Sequence, residues 1–343
     1  MAGSGAECRS GRTIPTMASR RVVTGFDPTG KAVFTHDGEA PNTIALGSIG
    51  VSEVFWADRW PVAIDHDPDR TSSGFPLEPP PGGASARIIR MPGVPAGTPP
   101  DDTWMRVDGD DPAMPGMHST DTLDLMVVLE GSVILGLDDG QRTINPGEFV
   151  IQRGTAHRWR AADEHGWTYF VAMLRPDPSL PDAGDDGEIV APKRGGRPVR
   201  RVVTGAPTID GGAVVGVNGA MSTLTDLWLT GGPLQSVTQG GDGCAGWHLE
   251  PIGDGVSFRL IELSSDVPLA DEGWHATATI DIDVILSGRM RLELPGGIET
   301  ELGAGDVVVQ RGTNHRWSAV GDEPVKMAAV MFASSPAAVK DPE

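Results

Sequence analysis

Two histidines and an aspartate recur in the same order in both halves of the chain, and they are the side chains best suited to chemistry. His118-Ser119-Thr120-Asp121-Thr122-Leu123-Asp124 matches His275-Ala276-Thr277-Ala278-Thr279-Ile280-Asp281. Downstream, Gln152-Arg153-Gly154-Thr155-Ala156-His157-Arg158-Trp159 returns as Gln310-Arg311-Gly312-Thr313-Asn314-His315-Arg316-Trp317, with one change in eight. An imidazole oriented by a carboxylate moves protons at neutral pH, with His157 or His315 as general base. Idle positions decay differently in two copies, so survival of the same set in both points to a chosen site or to a recent duplication.

These residues act together only if the chain folds back between them. On one straight strand His118 and Asp124 would lie about 20 Å apart at roughly 3.3 Å per residue. Thr120-Asp121-Thr122 carries the hydroxyl and carboxylate side chains that favour a turn, so His118 ends one strand and Asp124 begins its neighbour. Thr277-Ala278-Thr279 is a weaker signal of the same kind. From Asp124, strand parity sends Met126, Val128 and Glu130 to one face, and from Asp281 it sends Asp283, Ile285 and Ser287. The second site therefore gains a carboxylate, Asp283, where the first has Met126.

The surrounding elements are strands. With 46 Gly and 29 Pro and almost no helical apolar spacing, long helices are not expected. Short apolar runs fall between turn signals at 125–129, 132–137, 148–151 and 168–174, then at 282–286, 289–294, 306–309 and 325–332. That spacing predicts a sandwich or small barrel. Glu130-Gly131 and Ser287-Gly288 mark tight corners, as do Asp138-Asp139-Gly140 and Pro295-Gly296-Gly297.

The duplication extends to a leader, Arg20-Arg21-Val22-Val23-Thr24-Gly25, repeated unchanged from Arg200 to Gly205, and to Trp56 and Pro61 matching Trp228 and Pro233. A period this long means two whole domains, each opening with its own leader. The division expected is a disordered tail over 1–16, a first domain with leader over 17–175, a linker over 176–198 dense in Pro, Gly and Asp, and a second domain with leader over 199–343. A net charge of −20 opposes nucleic acid and anionic membranes as partners. No apolar run is long enough to span a bilayer and no signal peptide is evident, which predicts a soluble cytoplasmic protein. Cys8 and Cys244 make neither a disulfide framework nor a thiolate zinc site.

The two motifs resemble those of the cupin superfamily, and their duplication resembles a bicupin. The first family motif is matched as His118-x-Thr120, three residues, Asp124, six residues, Gly131, and again from His275 to Gly288. The second is matched as Gln152-x-Gly154-x-x-His157 and Gln310-x-Gly312-x-x-His315, after the corners at Gly147 and Gly305. The resemblance covers about the later half of each copy and implies an all-β fold, two cupin-type (jelly-roll) β-barrels in one chain. It also implies a ligand set. The family's first His is kept as His118 and His275, its second is replaced by Thr120 and Thr277, its Glu is shortened to Asp124 and Asp281, and its last His stands as His157 and His315. Two imidazoles and a carboxylate are the ligands of a facial triad, suited to a divalent Fe, with Mn, Zn or Ni as further metals.

The function this implies is a metal-dependent oxygenase acting on an aromatic or dicarbonyl substrate in the barrel lumen. Two alternatives stand beside it: a lyase, dehydratase or decarboxylase of a polyketide-like substrate, and a non-catalytic small-molecule-binding bicupin. Around the ligands, Gln152 or Arg153 and Gln310 or Arg311 can face the pocket, but alternation allows only one of each pair. An inward Arg would clamp an anionic oxygen, whereas a surface Arg pairing with carboxylates is the plainer reading. Trp274 directly precedes His275 and can line a pocket for a flat ligand or pack the core. Asp65-His66-Asp67-Pro68-Asp69 reads as a solvated loop. Paired barrels within one chain are compatible with a monomer or a homodimer.

Overall fold

Strand Leu123–Glu130 reads apolar at almost every position instead of alternating, which marks a strand covered on both faces. In the computed structural model, which describes residues 18–70, 74–107, 110–180, 199–212, 214–218, 222–241, 248–264 and 273–334, that is its position. Leu125 and Val127 point into one apolar core; Met126 and Val128 point into another.

Two eight-stranded sheets carry the molecule. One runs in the order Asn42–Leu46, Ile49–Ala57, Ala84–Met91, Trp167–Leu174, Leu123–Glu130, Phe149–Arg153, Arg200–Val203 and Ile209–Gly212. The other runs Ala32–Glu39, Arg20–Phe26, Val307–Arg311, Thr279–Ser287, Val325–Ala333, Val256–Leu263, Ser222–Leu229 and Val214–Asn218. Each is closed by a three-stranded sheet, Arg158–Ala161, Val133–Leu137 and Gly140–Ile144 in the first copy and Ile298–Gly303, Arg289–Leu294 and Arg316–Ala319 in the second. Val133, Leu135 and Trp159 of the first small sheet share a core with Met126, Val150 and Val171 of its large sheet. Met290 and Leu292 do the same with Ile285, Val308 and Met327. The opposite faces of the large sheets meet in one apolar core containing Phe55, Phe149, Phe170, Trp228, Phe258 and Phe332. The fold is thus all-β, two jelly-roll barrels back to back.

The leaders are exchanged. Arg21, Val22 and Val23 pair in parallel with Val307, Val308 and Val309 of the second copy. Arg201, Val202 and Val203 pair in parallel with Phe149, Val150 and Ile151 of the first. The expectation that each domain opens with its own leader is corrected accordingly: the leader lies next to its own copy in sequence but completes the sheet of the other. The covering contacts explain it, since Val22 is buried with Ile285 and Met290, and Val202 with Trp159 and Trp167.

All of the sequence-derived strands are present; Leu123–Glu130 and Thr279–Ser287 run beyond the expected bounds at both ends, and Val133–Leu137 starts one residue later than expected. Arg289–Leu294 has the predicted bounds. Gly131 and Gly288 take φ of 67° and 76°, and a Cβ on Gly131 would stand 2.2 Å from the Gly166 carbonyl oxygen, so only glycine serves at that corner. The tail over 1–16 and residues 181–198 of the linker lie outside the described residues. Pro176 and Asp177 are described, and they bond to Gly82 and Leu234. The acidic loop at 65–69 does more than meet solvent: Asp69 pairs with the buried guanidinium of Arg21 at 2.6 Å, and the His66 ring bonds the Trp56 carbonyl at 2.8 Å. Among the described residues no helix is long and apolar enough to cross a membrane.

Candidate active site

The predicted turn is real, and it brings the histidines face to face. His118 and His157 exchange backbone hydrogen bonds of 2.9 and 2.8 Å as an isolated bridge, and His275 and His315 do so at 3.0 and 2.9 Å. The paired rings stand 4.4 and 4.2 Å apart, centroid to centroid. His157 and His315 are buried, while His118 and His275 are half-buried in front of them. Trp159 and Trp317 brace the buried rings edge-on at 5.7 Å.

All four imidazoles are oriented alike. The Nδ1 atoms of His118, His157, His275 and His315 lie 2.8 to 3.0 Å from the carbonyls of Gly116, Thr155, Gly273 and Thr313. A carbonyl only accepts, so at His118, His275 and His315 Nδ1 carries the proton and Nε2 the lone pair; at His157 the Gln152 amide nitrogen, a donor, faces the same Nδ1 and competes with that assignment. Burial, followed by the neighbouring His118, lowers His157 to about 4; burial and His275 lower His315 to about 3. Both are neutral at physiological pH.

Asp124 and Asp281 begin their strands inside the barrels, as parity required, at 9% and 6% exposure. Burial pushes each carboxyl up to about 7, opposed by the hydroxyls of Thr122 and Thr279. Those hydroxyls also reach Thr120 and Thr277, at 2.9 and 2.7 Å. Asp283 is raised as well, by burial and then by the charge of Asp281. The Oδ1 atoms of Asp124 and Asp281 are buried without a partner.

Gln152 and Gln310 take the inward positions of their strands, directly opposite Asp124 and Asp281. Their amide nitrogens bond the carbonyls of Thr155 and Thr313 at 2.7 and 3.2 Å, and Gln152 also lies 2.9 Å from Nδ1 of His157. Both Oε1 atoms are buried and unpartnered. Arg153 and Arg311 point the other way. Arg311 bonds the carbonyls of Thr24 and His66, and Arg153 bonds that of Thr238 and lies 5.4 Å over Trp228. Of the two readings open for the arginines, the inward clamp is not seen and the plainer one is: they bond carbonyls, and those carbonyls belong to the neighbouring copy's segments. The ring of Trp274 is covered by Arg316 at 5.0 Å, as Trp104 is by Arg158 at 4.0 Å.

A family model described as the AraC-like ligand binding domain matches residues 105–196. Oryzines biosynthesis cluster protein J of Aspergillus oryzae is 46% identical over 50 residues, 15% of this chain and only 28% of that protein's length. Phomopsin biosynthesis cluster protein C′ of Diaporthe leptostromiformis is 30% identical over 161 residues, 44% of this chain and 75% of that protein. The cupin-domain-containing oxidoreductase fogC of Aspergillus ruber is 29% identical over 148 residues, 40% of this chain and 62% of that protein. This chain belongs to the cupin superfamily. Among solved structures, the cupin 2 conserved barrel domain protein of Leptotrichia buccalis superposes on 85% of this chain and 92% of its own, with a TM-score of 0.43 at 7% identity.

A cupin metal centre needs its ligands on one point. Among the described residues no three His, Cys, Asp or Glu side chains converge closely enough to hold a metal ion. The donor set accounts for this: Thr120 and Thr277 supply hydroxyls where the family has imidazoles, and Asp124 and Asp281 are one methylene shorter than Glu and engaged by threonine. The two imidazoles of each barrel suit a metal, with Nδ1 tied to carbonyls in the usual outer-shell manner. As arranged, however, the sets His118, Asp124, His157 and His275, Asp281, His315 do not fit a three-ligand centre.

Sequence reasoning missed a further part of this cupin's lumens. In the first, the cross-strand row Ser85, Met173, Asp124, Gln152 lies on one face. In the second the row is Ser257, Met331, Asp281, Gln310, the same four residue types. Ser85 and Ser257 are fully buried and their hydroxyls are unpartnered. The available signal was a further repeated block, Ser85-x-Arg87 against Ser257-x-Arg259, at the same offset as Trp56 and Trp228. Arg87 bonds Glu53 and the carbonyls of Pro76 and Leu77; Arg259 bonds Asp226 and the carbonyls of His248 and Leu249. Each arginine thus ties a loop to its barrel. Glu53 holds both Arg70 and Arg87, and all three side chains are at most 3% exposed. Glu53→Gln strands two buried guanidiniums and is expected to cost about 3–5 kcal/mol, read from the denaturant midpoint.

Proposed function

We propose that this cupin is a small-molecule enzyme of the lyase, dehydratase or decarboxylase kind, in which His157 and His315 take up a proton at Nε2 from a substrate in the lumen. One observation carries the reading: in both barrels the buried imidazole is neutral and braced by Trp, and in the second its Nδ1 is tied to the Thr313 carbonyl with no competing donor among the described residues, which leaves the Nε2 lone pair of His315 for a substrate. The half-buried His118 and His275 stand in contact with the inner rings and supply a path for the proton toward solvent. Because the inner imidazoles remain unprotonated down to about pH 4 and 3, the base form is constant from pH 5 upward. The biosynthesis-cluster names of the relatives support a natural-product-like substrate.

The test is turnover of a panel of 1,3-dicarbonyl and phenolic compounds by protein treated with a chelator. Turnover is expected to persist, and to fall by roughly 10²–10⁴ in a His157→Gln, His315→Gln double variant. Activity that vanishes on chelation and returns with Fe(II) or Mn(II), accompanied by oxygen uptake, would instead establish the oxygenase reading, which the oxidoreductase name of the Aspergillus ruber relative favours. Saturable binding with no turnover of any compound would favour the binding-protein reading, toward which the ligand-binding-domain match points.

A further inference from the structure

Each lumen holds polar atoms that its own fold leaves unanswered. Gln152 and Gln310 present their amide nitrogens to the Thr155 and Thr313 carbonyls, so each Oε1 must point away, where it can only accept. Directly across the ladder stands the unpartnered Oδ1 of Asp124 or Asp281. Opposed side chains in an antiparallel pair have Cβ atoms about 4.5–5.5 Å apart, close enough for one small group to meet both. Gln152 and Gln310 are 1% and 0% exposed, so bulk water does not answer them. A buried unsatisfied acceptor costs about 1–3 kcal/mol, and the same two are kept in both copies.

The partner must bring donors to two acceptor oxygens, one of a carboxyl and one of an amide. A carbonyl, carboxylate or phosphate brings none; a hydroxyl brings one. A primary ammonium brings three N–H donors, enough to meet both orphaned oxygens at once. The nearby guanidiniums do not fill this role, because Arg87 is committed to Glu53 and Arg259 to Asp226. Beside each aspartate lies a thioether, Met173 or Met331, and beyond it the unpartnered Ser85 or Ser257 hydroxyl, a surface for a short alkyl chain with a polar end.

We propose that the Asp124–Gln152 and Asp281–Gln310 pairs are seats for a primary ammonium group, so that the ligands of this cupin are amines. Asp283, in place of Met126, stands two residues along the same strand face and gives the second seat a second carboxyl, which makes it the tighter of the two. The proposal rests on reading the lumens as substrate chambers, but it concerns what is held there and not what is done to it.

Calorimetric titration of the full chain with n-propylammonium, n-propanol and propionate tests it. Propylammonium is expected to bind at two sites of unequal affinity while the neutral and anionic probes do not. Asp124→Asn and Asp281→Asn should each weaken one site at least about tenfold, and Asp283→Met should bring the tighter site down to the weaker. Arg289→Ala, on the exposed outer sheet, should bind the amine as wild type does, and because the heat is read without turnover the result is independent of the proton-transfer chemistry. Equal binding of propanol, no saturable heat with propylammonium, or Asn variants that bind unchanged would overturn it, as would ordered waters satisfying both oxygens in a crystal soaked with the amine.

Discussion

Asp124→Asn is expected to stabilise the protein at pH 8 and to leave it nearly unchanged at pH 3. The carboxyl is pushed from its ordinary 3.8 up to about 7 by burial, so the folded state holds this proton more tightly than the unfolded chain does. The stability linked to that proton is complete below 3.8 and lost as pH rises through 7. At pH 8 the aspartate therefore opposes folding by an amount on the order of 4 kcal/mol, and Asn removes the penalty while keeping the shape. Asp281→Asn should act in the same direction in the second barrel. His157 and His315 run the other way: depressed from 6.5 to about 4 and 3, they contribute stability above 6.5 that disappears as pH falls through those values. Between about pH 4 and 6.5 the two effects offset each other in the wild type. The double Asn variant loses that compensation and should weaken steeply on acidification. Urea midpoints at pH 3, 5, 6.5 and 8 check both arms; a wild type no weaker than the variant at pH 8 would refute the argument. A protein that keeps aspartates against such a cost keeps them for a ligand.

Val202→Asp is expected to damage the barrel of the other copy. Val202 follows the linker in sequence, yet it pairs with Val150 and is fully buried beside Trp159 and Trp167. An unpaired carboxylate there should cost more than about 4 kcal/mol. Hydrogen exchange should quicken first in Leu123–Glu130, Phe149–Arg153 and Trp167–Leu174, all encoded before the linker. Faster exchange confined to Thr279–Ser287 and Val325–Ala333 would contradict the exchanged pairing.

Local features were legible in the sequence. Corner glycines, the turn ahead of Asp124, and the parity that places Asp124, Met126 and Val128 on one face all follow from short-range sterics and the period of a strand. The exchange was not legible, because Arg-Arg-Val-Val presents the same alternation whichever barrel receives it, and parallel pairing over long separations leaves no local mark. The fate of Arg153 and Arg311 was hidden for the same reason, since their partners belong to segments brought in by the exchange. Ser85, Met173 and their twins were visible in the repeat, but their meaning depends on which strands lie side by side. The sequence keeps Asp124 and Asp281 as third ligands beside the histidines; only the geometry shows that the two histidines pair without the aspartate.

The exchanged leaders also set an order of events during synthesis. Val22 emerges near the start of the chain, but its partner Val308 is made near the end. At about 5–20 residues per second the first hairpin waits roughly 15 to 60 s for the strand it must join. The first barrel likewise stays open until Arg201 to Val203 arrive. Neither barrel can close as a unit behind the ribosome, so both sheets pass through a period with an uncovered apolar edge, and the finished molecule should depend on holdase chaperones more than two independent barrels of the same size would.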